Sequence, residues 1–198
     1  MEPPPRGFEH APANGWGQFS GPIHAEFLPG REMKLLEDST FTEASGRTWT
    51  APKGSIIDGA SIPKPFWSVI GGPFDDTYRT ASVYHDVACD TRTARWEDVH
   101  LMFYRAMRCS GVPEKKAKQM FTAVWYFGPH WKEQSRIAAV LNMKPAEEPK
   151  TPPTAADAAA IKTWVARENP GIRELANPVK ASEKLPTQSA VQKRMPPQ

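Results

Sequence analysis

A histidine and an aspartate stand side by side in the segment SVYHDVACD, and a cysteine follows one helical turn later. His85 and Asp86 point about 100° apart if the segment is a helix, so a second element is needed to aim both at one small group. A helix that starts near Trp96 can supply it. The short connection TRTAR makes the two helices antiparallel, which predicts that Asp98 lies beside His85.

A carboxylate beside an imidazole fixes the tautomer and stabilises the imidazolium, as a water-activating general base requires. We therefore predict that His85 and Asp98 form a catalytic dyad. Asp86 would turn toward the preceding glycine-rich loop IGGPFDD and bind a hard divalent cation, for which calcium is the candidate because it prefers oxygen ligands from flexible loops. Asp58, in IIDGAS, is a candidate for an additional calcium ligand or an orienting residue.

The same residues also allow interpretations without catalysis. A lone His-Asp dipeptide in a helix is more often a cap or a buried hydrogen-bonded pair, and the third carboxylate and the loop are what favour a site. Cys89 lies four residues after His85, as in a zinc pair, but no second Cys or His pair with ligand spacing follows, so zinc is not predicted. Cys89 is a poor candidate nucleophile because only Arg92 adds positive charge nearby.

Helical periodicity gives the elements that would hold these residues. One helix is predicted from a cap at Asp75 or Asp76 through about Cys89, a second over Trp96 to Cys109, and a third from Pro113 to the Gly128-Pro129 pair. The second carries a core-facing stripe at i, i+3, i+4, i+7 and i+8, formed by Val99, Met102, Phe103, Ala106 and Met107. We predict an α+β fold in which these three helices pack with a small antiparallel sheet from residues 26–50.

Composition divides the chain into three parts. Residues 1–25 are rich in Pro and Gly and predict an extended arm, residues 26–144 a globular domain, and residues 145–198 a Pro/Ala-rich tail with a short helix near 155–168. A further short helix is expected at 133–142. Ile161, Trp164 and Val165 form a narrow apolar stripe on the tail helix, and with Trp16 in the arm they predict binding to a partner. Docking of the tail on its own domain is the equal alternative.

Charge and hydropathy exclude several classes of protein. Among 198 residues, 25 are basic and 22 acidic, and no Lys/Arg run lines a helix, so nucleic acid is not an expected partner. Two cysteines allow at most one bridge, which fits a reducing cytoplasm. The N-terminal residues lack the apolar core of a signal peptide, and no segment has the roughly 18 apolar residues that span a bilayer. We expect a chain made in the cytoplasm.

Four motifs in order, APKGSIIDGASIPKPFW, YRTASVYHDVACD, RWEDVHLMFYRAM and AVWYFGPHW, resemble the domain of unknown function 1353, a phage- and prophage-encoded family. The similarity spans about residues 32–131, and its Asp and His positions are matched. Ile57 stands where the family usually has threonine, and Cys89 where it usually has an aromatic residue. The positions that match are Asp58, His85, Asp86 and Asp98.

The layout also bears a fainter similarity to viral phospholipase A2, in which a glycine-containing calcium loop precedes a helical His-Asp and a later helix brings an aspartate. This resemblance implies that His85 activates water, that Asp86 binds calcium and that Asp98 orients His85.

The resemblances imply a bacteriophage protein that hydrolyses an ester or amide bond in the host envelope, in lipid or peptidoglycan. The alternative is a non-catalytic virion protein of the tail or neck whose arms bind neighbouring subunits. Expected partners are other phage structural proteins and a host envelope component, and the expected location is the host cytoplasm and then the virion. A cleft open at His85 and Asp98 would favour the enzyme, whereas burial of His85 under Trp67 or Trp125 would favour the virion protein.

Overall fold

The computed structural model of the chain describes residues 15–30, 32–58, 62–66, 78–132, 141 and 143–187. These residues contain six short strands, six α-helices and one 3₁₀ turn, so the α+β class is confirmed. The strands form two antiparallel three-stranded sheets instead of the single small sheet that was predicted. The predicted cap at Asp75 or Asp76 and nearly all of the predicted helix at 133–142 lie outside the described residues.

Each sheet is built from short strands whose inward-facing side chains alternate with exposed ones. The first sheet has the order β1-β4-β5 and the second the order β2-β3-β6. In the longest strand Ser39, Phe41 and Glu43 are buried, because alternate residues of a strand point to the same face. The strands are β1 (Gly17–Phe19), β2 (Ala25–Phe27), β3 (Met33–Leu35), β4 (Ser39–Glu43), β5 (Thr48–Ala51) and β6 (Ile56–Ile57).

Three helices form the centre of the fold: α1 (Arg79–Thr91), α2 (Trp96–Cys109) and α3 (Glu114–Phe127). The predicted bounds of the second helix are confirmed, and the third begins one residue after Pro113. Gly111 ends α2 with a φ of 86°, a conformation that glycine adopts without strain. All five residues of the predicted stripe on α2 are buried, so the periodicity identified the core-facing side correctly.

The first sheet packs against α1 and α2 through aromatic rings and one buried carboxylate. The rings of Phe19, Phe41 and Tyr84 lie with centroids 5.0–6.0 Å apart. Glu43 accepts hydrogen bonds from Trp49 Nε1 at 2.8 Å and from Arg105 Nη1 at 2.6 Å. Because Glu43 is almost fully buried, these two donors offset the cost of removing its charge from water.

The region predicted as an extended arm contributes to the sheet. Residues 1–14 lie outside the described residues, but Gly17–Phe19 pairs with β4 as strand β1. A Cβ atom on Gly17 would lie 2.5 Å from the carbonyl oxygen of Thr42, so only glycine fits this close strand contact. Trp16, predicted to bind a partner, packs edge to face on Tyr104 of the same chain at 5.6 Å.

The C-terminal part forms three helices: α4 (Ala155–Glu168), α5 (Ile172–Leu175) and α6 (Pro178–Ser182). The predicted tail helix is confirmed at 155–168, and it packs on α3. Ile161, Trp164 and Val165 are buried within the chain itself. The structure therefore corrects the partner-binding prediction for these three residues and agrees with the alternative of docking on the domain. Docking in the same chain costs less entropy than binding a separate molecule, because it closes a loop and does not immobilise a second molecule.

Asp157 joins the two ends of this C-terminal segment. One of its oxygens accepts hydrogen bonds from the backbone N–H and the hydroxyl of Thr154, the residue that caps α4. The other accepts the backbone N–H of Thr187 at 2.9 Å. The carboxylate is fully buried, and these donors satisfy it.

Among the helices in the described ranges, none is long and apolar enough to cross a lipid bilayer.

We expect Trp164→Ala to release the C-terminal segment. Trp164 is 4% exposed, and truncating a buried tryptophan costs roughly 3–5 kcal/mol. The measurement is thermal unfolding together with limited proteolysis after residue 145, where the variant should be cleaved much faster than the wild type. Val179→Ala is the control, because Val179 is 54% exposed and should leave both readouts unchanged. Equal proteolysis of Trp164→Ala and wild type would contradict docking of the segment.

Candidate functional site

Two histidines meet where helices α1 and α2 pack together. His85 Nε2 lies 2.8 Å from His100 Nδ1, and both side chains are fully buried. His100 Nε2 lies 3.1 Å from the carbonyl oxygen of Pro129. A carbonyl only accepts, so Nε2 of His100 carries the proton and Nδ1 is left with a lone pair. His85 must then donate from Nε2.

Asp98 does not take part in this contact. Its Oδ2 pairs with Arg47 Nη1 at 3.1 Å, and its side chain is 41% exposed. The reason lies in helical geometry: Asp98 and His100 are two residues apart, hence about 200° apart around α2. Because His100 faces α1, Asp98 faces away from it. The predicted His85–Asp98 dyad is therefore wrong.

Burial gives His85 a different chemistry from the general base that was predicted. Desolvation lowers the pKa of His85 to about 3, so the imidazole stays neutral over the physiological pH range. Its ring stacks on Phe103 with centroids 4.4 Å apart and lies against His100. Its exposed fraction is zero, so solvent does not contact this ring. Trp67, one of the two residues whose packing over His85 would favour the virion protein, lies outside the described residues.

Cys89 completes a cluster with the two histidines. Its Sγ lies 3.7 Å from His85 Nε2 and 4.0 Å from His85 Nδ1. One ligand atom from each of His85, Cys89 and His100 lies within 4.8 Å of the other two, which suits a metal ion. Neither Cys89 nor Cys109 forms a disulfide, and the Cys109 thiol donates to the carbonyl oxygen of Gly17 at 3.1 Å.

A pocket of about 270 Å³ opens beside this cluster. Asp58 and Asp86, the two predicted calcium ligands, both line it, one from the end of β6 and one from α1. Cys89 lies in the pocket wall as well, so it belongs to both the pocket and the histidine cluster. The glycine-rich loop that was expected to contribute carbonyl ligands lies outside the described residues. The remaining lining residues are Glu32, Ile56, Asp90, Arg92, Pro129, Glu147 and Lys150.

The pocket is acidic. Five carboxylates and two cations line it, and both cations, Arg92 and Lys150, pair with Glu147. Asp90 pairs with Lys144 at 2.5 Å. Carboxylates therefore outnumber cations among the lining residues, and this excess of negative charge favours a divalent cation or a positively charged group of a substrate.

His100 is the residue of the cluster that the sequence analysis did not name. The available signal was its position: His100, Phe103 and Met107 follow at i, i+3 and i+7, so His100 borders the apolar stripe of α2. A polar residue on a core-facing stripe needs a buried partner. A third histidine, His130, lies with its Nε2 2.8 Å from the carbonyl oxygen of Trp125 near the end of α3.

Residues 33–124 match the profile of a protein family described as "Protein of unknown function (DUF1353)". The chain belongs to this family. The matched region of the DUF1353 chain contains both sheets from β3 onward, the α1–α2 hairpin and most of α3. It therefore includes the His85, Cys89 and His100 cluster and all three aspartates of the pocket.

Two curated relatives of the DUF1353 chain come from Sinorhizobium fredii (strain NBRC 101917 / NGR234). "Uncharacterized protein y4jT" is 41% identical over 136 residues, which is 67% of this chain and 40% of that protein. "Uncharacterized protein y4iH" is 38% identical over 115 residues, which is 57% of this chain and 48% of that protein. The chain thus spans less than half the length of each relative. No solved structure gives a significant match.

The roles of His85 and Asp98 can be separated by stability. We expect His85→Ala to lower the free energy of unfolding by roughly 2–4 kcal/mol, because it leaves a cavity beside Phe103 and removes the hydrogen bond to His100. Asp98→Ala should cost less than about 1 kcal/mol, because it removes one exposed ion pair. Denaturant unfolding monitored by circular dichroism measures both. Equal losses in the two variants would contradict the placement of these residues.

Proposed function

We propose that this DUF1353 chain is a hydrolase that acts in the acidic pocket and not at a His-Asp dyad. The observation that carries this proposal is the convergence of Asp58 and Asp86 on one open pocket from two separate elements. Carboxylates that share a pocket can hold water, a cation and a polar substrate group at short range, as hydrolysis requires.

Asp86 is the residue we assign to proton transfer. Its side chain is only 8% exposed and lines the pocket, so a water molecule beside it is partly shielded from bulk solvent. A carboxylate has two oxygens, so one can accept the proton of the attacking water while the other contacts a cation. The water oxygen then forms the new bond to the carbonyl carbon, and the bond from that carbon to the leaving oxygen or nitrogen breaks. The leaving atom takes the proton from Asp86, which returns to the carboxylate form.

Calcium is the cofactor that we propose, with Asp58 and Asp86 as its ligands. Hard cations prefer carboxylate oxygens, and the excess negative charge of the pocket favours such an ion. A bound cation would polarise the scissile carbonyl and stabilise the negative charge that develops on its oxygen.

The substrate class follows from the resemblance and not from the pocket. We propose an ester or amide bond in the envelope of a bacterial host, in lipid or peptidoglycan, and a phage origin for the chain. Its partners would then be the envelope component and other phage proteins.

A non-catalytic virion protein is the second candidate, and one observation favours it. His85 is sealed in the core and Asp98 is bound to Arg47, so the two residues that first suggested catalysis have structural surroundings. In this case the hairpin contact would serve stability alone, and the chain would bind neighbouring subunits through surfaces other than the buried residues of α4.

Asp86→Asn separates the two candidates. We expect it to lower the rate of hydrolysis by roughly a hundredfold or more, because the amide cannot accept a proton. Purified protein is incubated with phospholipid vesicles and, in parallel, with peptidoglycan, and the products are measured by mass spectrometry. Asp98→Asn is the matched control, since it makes the same chemical change outside the pocket, and it should keep the wild-type rate within about twofold.

The hydrolase and the virion protein predict different outcomes of this assay. Loss of product with Asp86→Asn but not with Asp98→Asn supports the pocket. Equal loss in both variants, or equal rates in all three proteins, overturns the pocket as a reaction centre. Absence of product from the wild type on both substrates favours the virion protein.

The calcium role gives a separate prediction. In calcium-free buffer we expect the rate to rise with added Ca²⁺ to a plateau, and Asp58→Asn should need a Ca²⁺ concentration about tenfold or more higher to reach it. Asp98→Asn should follow the wild-type curve. The measurement is the same hydrolysis assay run as a calcium titration. A rate that does not depend on Ca²⁺ would refute calcium as the cofactor.

A further inference from the structure

The cluster of His85, Cys89 and His100 has the composition of a transition-metal site. Two imidazoles and one thiolate are the ligand types that bind Zn²⁺. Among the described residues, no other group of three His, Cys, Asp or Glu side chains brings its ligand atoms this close together. We propose that these three residues bind a zinc ion at the base of the acidic pocket.

The spacing of the ligand atoms fits a tetrahedral ion. Zinc–nitrogen bonds of about 2.0–2.1 Å and zinc–sulfur bonds of about 2.3 Å place neighbouring ligand atoms roughly 3.3–3.6 Å apart. Cys89 Sγ and His85 Nε2 are 3.7 Å apart. The two histidine nitrogens are 2.8 Å apart because a hydrogen bond joins them, so they must separate by about half an ångström when the ion replaces the shared proton.

The surroundings of His100 hold its ring ready for the ion. His100 Nε2 donates to the carbonyl oxygen of Pro129, which fixes the tautomer and leaves Nδ1 as the ligand atom. The ring of Trp96 lies 5.6 Å from that of His100, and Phe103 stacks on His85. Aromatic rings therefore pack against both imidazoles and hold their orientation.

Binding of the ion requires two proton movements, one on His85 and one on Cys89. His85 stays neutral but shifts its proton from Nε2 to Nδ1, which frees Nε2 for the ion. Cys89 loses its thiol proton to solvent, so one proton is released for each Zn²⁺ bound. Zinc with one thiolate carries a net charge of +1, and the Asp86 carboxylate on the adjacent pocket wall provides the opposite charge.

Cys89 places the proposed ion next to the pocket. Because its side chain lines the pocket and also belongs to the cluster, the fourth position of the ion lies on the pocket side. Three protein ligands with one open position are typical of catalytic zinc and not of structural zinc. Use of the ion in hydrolysis rests on the proposed function, whereas binding of the ion does not.

Cobalt titration of the full chain tests the site without any substrate. The protein is stripped with a chelator, the chelator is removed, and Co²⁺ is added under anaerobic conditions. We expect saturation at one equivalent and a near-ultraviolet charge-transfer band from the Cys89 thiolate. Added Zn²⁺ should abolish the cobalt spectrum, and metal analysis should then find one zinc per chain.

The two cysteines provide a matched pair of variants. Cys89→Ser should lose the charge-transfer band, and Cys109→Ser should keep it, because Cys109 contacts Gly17 away from the cluster. His100→Gln should weaken Co²⁺ binding about tenfold or more while the band survives at saturation. Circular dichroism confirms that each variant is folded.

The wild-type spectrum decides the proposal even if a variant fails to fold. Absence of the band from the wild type, or its persistence in Cys89→Ser, overturns the zinc site. Zinc binding by a protein without hydrolytic activity would support the zinc site and refute only the hydrolase. Hydrolysis by a wild type that binds neither Co²⁺ nor Zn²⁺ would refute the zinc site and support the hydrolase.

Discussion

The packing of α1 against α2 is the constraint on which the site depends. Residues 92–95 join the two helices, so the hairpin can turn only one face of each helix inward. At 100° per residue, a choice that brings His100 to His85 also sends Asp98 to the surface, where Arg47 binds it. The rotation of α2 about its axis therefore places His100, and not Asp98, against His85. The result is a buried cluster of two imidazoles and a thiol.

The same geometry explains why one helix serves both the cluster and the pocket. Asp86, Cys89 and Asp90 follow at i, i+3 and i+4, and all three line the pocket. His85 lies four residues before Cys89 and therefore close to it on the helix surface, but turned toward α2. Cys89 therefore lies between the buried histidines and the acidic pocket, and its sulfur is a ligand that both can share.

The sequence predicted the helices well because their signal is repeated over several turns. The stripe on α2 extends over nine residues and identified the buried side without error, and Gly111 and Pro113 marked the ends of neighbouring helices. The strands were harder, since β1 has three residues in a segment rich in glycine and proline, and three residues give no measurable period. Its place is set by pairing with β4, which lies more than twenty residues away.

The site was only partly predictable for a related reason. Asp58 and Asp86 were named from motifs, and the structure brings them to one pocket. His100 was not named, because its importance comes from a contact across the hairpin that depends on helix rotation. The apolar stripe of α4 shows the same limit: its residues were recognised, but periodicity does not tell whether such a stripe meets another molecule or the chain that carries it.

Asp157 has a consequence for how the C-terminal segment comes apart. One carboxylate binds Thr154 at the start of the segment and Thr187 at its end, so the two junctions share a single acceptor. Rupture at either junction leaves a buried anion with half of its donors, which weakens the other junction as well. We therefore expect residues 154–187 to detach from the domain cooperatively, with both junctions opening together.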